Sequence, residues 1–151
     1  MPLIARYRSM ADNEVLIDMA TLIIDQYAAL NQRDPALCYQ FASAGINAAV
    51  LKQIPAPLVQ RELTLEQRII ETAARRAPVD EQQMNSLWRV VGISLAASFS
   101  RDQLAIVRSA HVAPDQYADY CEVTSGVLRA IIALPPTDAG ILLRNMFAVK
   151  N

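Results

Sequence analysis

The chain's 151 residues include fourteen basic and fifteen acidic side chains, a formal charge of −1, and 53% of the sequence is apolar against 19% charged. It is too apolar for intrinsic disorder, and at this length a folded chain buries roughly 70% of the surface it exposes when unfolded, which suits one core and one domain over 1–151. The two signs are mixed throughout without the local excess of Lys and Arg that phosphate neutralisation needs, so nucleic acid is not an expected partner, and no apolar run approaches the ~18 to 20 residues that cross a bilayer.

The first eight residues, Met1 to Arg8, lack the long apolar stretch and small-residue cleavage site of a signal peptide. Met1 retained before Pro2 is compatible with a soluble fragment of a larger protein. Asp12 then reads as an N-cap. Val15, Leu16, Met19, Leu22, Ile23, Gln26, Tyr27 and Leu30 follow at three- and four-residue spacing and predict a long helix over about 13–31. Asp34-Pro35 pairs an N-cap with proline at the first helical position, and Gly45 suits the left-handed residue that closes the short helix after it. Residues 46–54 predict a further short helix, stopped by Pro55.

Pro57 opens a helix with Leu58, Leu65, Ile69 and Ala73 facing inward. Arg61, Glu62, Glu66, Arg68, Glu71 and Arg75 are expected on its outer face, with Glu71 and Arg75 as an i,i+4 pair and Arg75-Arg76 complementing the C-terminal dipole. Asp80 caps the next helix, which carries Met84, Leu87, Trp88, Val91, Leu95 and Phe99; Trp88 is expected in the core. Its small residues, Gly92, Ser94, Ala96, Ala97 and Ser98, predict close packing inside that core rather than a seam between copies, although a homo-oligomer stays open. Ser100 caps a shorter helix to about Ser109, Pro114 opens a long one to Leu134, and Thr137 or Asp138 caps a last one bearing Ile141, Leu142, Met146 and Phe147.

No period-2 run competes with these helices, and no Asn-Gly or Asp-Gly hairpin turn occurs. The expected fold is all-α, a single compact orthogonal or bundle-like domain of seven or eight helices.

The chemistry is sparse. His111 is the lone histidine and falls in the linker before Pro114, so a triad has no second candidate base, and the glycine-rich phosphate loops and the nucleophile elbow are missing. No catalytic residue is assigned. Cys38, His111 and Cys121 are too scattered for a zinc site, no Glu-x-x-His motif supports a di-metal bundle, and no cofactor is expected. Asp115, Asp119 and Glu122 share one helix face and read as a solvated one.

Two groups of residues stay open. Tyr27, Tyr39, Tyr117 and Tyr120 form either core with hydroxyls at its rim or the lining of a ligand groove. Cys38 and Cys121 are buried small hydrophobes in a reducing compartment, whereas in an excised envelope domain they pair as a disulfide. Cytoplasmic residence is the default and an extracytoplasmic one the alternative. The expected role is a non-catalytic, bacterial-type helical domain for protein–protein interaction or regulation, with another protein as partner. The alternative is a ligand-sensing helical domain with an apolar, tyrosine-lined pocket.

Overall fold

The second helix organises the molecule. In the structure, a computed structural model that describes residues 2–148, α1 (Pro2–Arg8) leads into α2 (Asn13–Arg33), followed by α3 (Pro35–Ala44), α4 (Ala48–Leu51) and α5 (Ala56–Thr72). The chain continues through α6 (Glu81–Ser98), α7 (Arg101–Ile106), a single 3₁₀ turn (Pro114–Gln116), α8 (Tyr117–Ile132) and α9 (Pro136–Phe147). Among the described residues there is no strand. The all-α expectation holds, with nine helices among the described residues against the seven or eight expected, in part because the N-terminal segment coils as α1.

Val15, Leu16, Met19, Ala20, Leu22 and Leu30 of α2 are all buried, and they cover more than one stripe of the helix. A helix apolar on several sides must be surrounded. α2 packs against α3, α5, α8 and α9 together, while α6 packs chiefly against α8 and α9 and, at its end, α7.

A charged seam fixes how α5 lies on α2. Arg68 Nη1 donates to Asp18 Oδ2 at 2.7 Å and Arg61 Nη1 to Asp25 Oδ2 at 2.6 Å. The acids ascend α2 as the arginines descend α5, so the helices run antiparallel. Arg61 and Arg68 therefore do not simply line an outer face, since they are long enough to bend back onto the neighbouring helix. The expected Glu71–Arg75 pair is absent because α5 ends at Thr72; Glu71 Oε1 instead accepts from Gln67 Nε2 at 2.7 Å. Arg76 does not complement a helix end either. It crosses to the start of α2, where its Nη2 meets Asp12 Oδ1 at 2.5 Å. Asp12 is thereby engaged by a guanidinium and makes no side-chain capping bond.

Other caps form as expected. Asp34 Oδ1 accepts from the Ala36 amide at 2.9 Å, Asp80 Oδ1 from Gln82, and Ser100 with Gln103 closes a reciprocal capping box. Gly45 takes φ +84°, the left-handed conformation its lack of a Cβ allows. Several helices are shorter than their apolar pattern: α4 spans Ala48–Leu51, α7 ends at Ile106, and α8 begins at Tyr117 after the 3₁₀ turn that Pro114 opens.

α6 departs furthest from expectation. Val91 is its only buried residue, and Gly92, Ser94, Ala96, Ala97 and Ser98 face solvent. A Cβ on Gly92 would meet nothing within 4 Å. The small residues are not a packing surface of the core, because the elements that cover α6 lie on its opposite side. Trp88 is likewise only part-buried, resting on the edge of the core. Close approach occurs at the C-terminal end of α6, where the Phe99 ring lies directly on the backbone of Gly126 in α8.

Candidate functional site

The structure gathers the cysteines and most of the tyrosines at the α3–α8 contact. Cys38 and Cys121 are both buried and joined, with S–S 2.14 Å and Cα atoms 6.2 Å apart. Beside them the Tyr39 ring stacks on Tyr117, with centroids 4.2 Å apart and planes at 10°, and meets Tyr120 edge-on at 5.0 Å. Tyr27 is buried beneath and packs edge-on against Phe41 at 5.1 Å. Burial, and then the nearby Tyr120 phenol, push the Tyr27 hydroxyl up to about 12. The same causes, with Tyr39 as the neighbour, raise Tyr120. A phenol held neutral in this way packs as an aromatic and has no anion to offer at neutral pH. The rings stack on one another, and neither concavity described below has a tyrosine in its wall.

A cleft of about 530 Å³ opens next to this cluster, with Phe41 of α3 in its lining. Ile23 and Gln26 of α2 form its floor, and Phe41 of α3 closes one end. Ile46 and Leu51, which follow the turn at Gly45, and Leu63 on α5 also line it. Ile46, Leu51 and Leu63 are 39%, 43% and 56% exposed. Three large apolar side chains thus converge on one concavity while facing solvent, at a free-energy cost that burial elsewhere would have avoided.

The polar groups of the cleft are few. Gln26 is 1% exposed, and its Nε2 donates to Glu62 Oε2 at 2.8 Å. Glu66, one turn further along α5, faces Arg8 of α1 at 3.6 Å. The Arg8 Nε is buried without a hydrogen-bond partner.

A second, shallower concavity of about 460 Å³ lies along α7, lined by Arg101, Leu104 and Arg108. His111 is exposed beyond it, its backbone tied to Ser109. Asp115 and Glu122 are exposed, and Asp119 accepts from Gln103 Nε2 at 3.3 Å. Among the described residues no three His, Cys, Asp or Glu side chains converge as metal ligands, and no helix is long and apolar enough to cross a membrane.

Sequence reasoning missed the cleft because its parts come from α1, α2, the α3–α4 turn and α5, each unremarkable alone. One signal was available. Leu63 lies two positions before the inward Leu65 and so interrupts the charged face of α5. Comparison of the chain with protein-family models, curated proteins and solved structures gave no match.

Proposed function

We propose that this chain is a non-catalytic helical binding domain whose cleft between α2, α5 and the α3–α4 turn takes a small, largely apolar ligand. The observation that carries the reading is the convergence of exposed Ile46, Leu51 and Leu63 on a 530 Å³ concavity with buried Gln26 at its floor. Ligand sites have this composition: volumes of roughly 300–1,000 Å³, apolar walls, and a small number of fixed polar groups that set orientation. Among the described residues the cleft holds no histidine, cysteine, serine or threonine to act as nucleophile or imidazole base. The ligand-sensing reading is therefore preferred over the interaction reading, in a groove whose lining has no tyrosine among the described residues. The Cys38–Cys121 link suits folding in an oxidising compartment.

Binding of N-phenylnaphthylamine, a neutral apolar fluorophore, tests this. Saturable one-site enhancement is expected in the native protein. It should be lost in Leu63→Asp and unchanged in Ile93→Asp on the distant α6. Absence of saturable binding, or indifference to Leu63→Asp, would overturn the reading.

A protein partner is the second reading, and a different observation favours it. Val90 and Ile93, 49% and 68% exposed, stand on the face of α6 that also carries Gly92, Ala96 and Ala97. Small residues between apolar ones allow a second helix to approach closely. Sedimentation of the native protein against Ile93→Asp tests whether that surface associates with another copy.

A further inference from the structure

We propose that the ligand of the cleft is an amphiphilic organic cation, an apolar body whose ammonium or guanidinium group sits against Glu62. This rests on the ligand-binding reading and adds the chemistry of the ligand.

Glu62 breaks a pattern. The three α2-side carboxylates that reach α5 or the chain just after it each meet an arginine: Asp12 with Arg76, Asp18 with Arg68, Asp25 with Arg61. At the next contact along the seam the carboxylate is on α5, and α2 presents an amide in place of a guanidinium. Among the described residues no cation lies within 4.0 Å of Glu62. The carboxylate is half-buried and held by a Gln26 side chain that is itself beneath the apolar surface. A carboxylate in such a place loses hydration without gaining a counter-charge. One Gln26 bond fixes its direction and leaves its charge uncompensated.

The whole cleft repeats this imbalance. Two carboxylates, Glu62 and Glu66, face one guanidinium, Arg8. An anionic ligand drawn to the unpartnered Arg8 Nε would meet both carboxylates. A hard metal ion needs more oxygens than the two carboxylates and one amide supply, since calcium takes about six to eight. The remaining wall is aliphatic or aromatic and asks for a hydrocarbon body. An ammonium on an aliphatic chain fits both demands, with its N–H groups donating to Glu62.

The test uses the disulfide-intact chain at pH 7 and three ten-carbon probes at submicellar concentration, displacing N-phenylnaphthylamine: decylamine, which is protonated at that pH, decanol and decanoate. Decylammonium is expected to bind about tenfold or more tighter than decanol, the effect of one charge-assisted hydrogen bond, and decanoate weakest. Glu62→Gln should remove the amine's advantage, bringing the amine and the alcohol to equal affinity. If Glu62→Gln fails to fold, Glu66→Gln should narrow the same ratio several-fold. Equal binding of amine and alcohol to the native protein would overturn the cation and leave the apolar cleft standing, whereas failure of every probe would remove the cleft reading with it. An amine preference that survives both substitutions would place the cation elsewhere and refute the assignment. Displacement of the fluorophore by a basic Leu/Lys helical peptide but not by decylamine would also overturn it, in favour of a protein segment.

Discussion

α2 and α6 are both long helices, 21 and 18 residues, that carry apolar side chains at helical spacing, yet α2 buries nine residues and α6 one. The difference lies in what surrounds them. α2 is enclosed by α3, α5, α8 and α9, whereas α6 touches its neighbours along one side only. Periodicity shows which residues share a face, but the number of faces covered depends on chain elements far away. The small side chains of α6 add little burial energy wherever they go, so exposing them costs little.

Truncation should separate the two helices most sharply. Leu22→Ala, at a site with no solvent exposure, should cost about 3–4 kcal/mol in urea unfolding. A loss under 1 kcal/mol would mean that α2 is not enclosed.

Alkaline titration probes α2 from another direction. Tyr27 is raised to about 12 from the ordinary value near 10, so the folded state holds the phenolic proton more tightly than the unfolded one. Its stabilising share is fully present below pH 10 and is lost as the pH rises towards 12, a fall on the order of 2 kcal/mol. Tyr27→Phe should flatten that fall, measured as denaturant midpoint against pH.

On α6, Trp88→Ala should cost about 2 kcal/mol, less than a fully buried aromatic because the ring already contacts water. Native Trp fluorescence should be correspondingly accessible to acrylamide. A smaller effect belongs to the α2–α5 seam. The Asp18 and Arg68 side chains are 49% and 40% exposed, so a double-mutant cycle to Ala should give a coupling of about 0.2–1 kcal/mol that weakens with salt. Ile93→Ser should sit at the bottom of the scale, within about 0.5 kcal/mol of the native protein, as exposed substitutions do.

These contrasts also mark what the sequence could disclose. Helix existence was legible from Asp34-Pro35, Asp80, Ser100 and the apolar spacing of α2, because caps and period are local physics. Helix α1 was not, since seven residues give too few turns for a period. The outward reading of Arg61 and Arg68 was incomplete, because a half-exposed guanidinium on a long stem can still reach an acid on another helix, and no spacing along α5 reveals Asp18 or Asp25. Of the candidate site, sequence supplied the tyrosines as a group and Cys38 with Cys121 as a possible pair. The cleft depends on α1, the turn at Gly45 and α5 meeting over Gln26, a juxtaposition created by tertiary packing. Only the displaced Leu63 hinted at it.

The sulfur link between α3 and α8 also has a topological side. Residues 38–121 form a closed covalent ring, and α4, α5, α6 and α7 all lie within it. Tension applied across the described residues bypasses the ring, because the load passes from Cys38 to Cys121 through the sulfurs. Its 83-residue span, about 300 Å of chain when drawn out, would appear in a force–extension trace only after a reductant is added. A protease cut in the exposed stretch between α5 and α6 would likewise release no fragment: the nicked chain would stay in one piece until its cystine is opened.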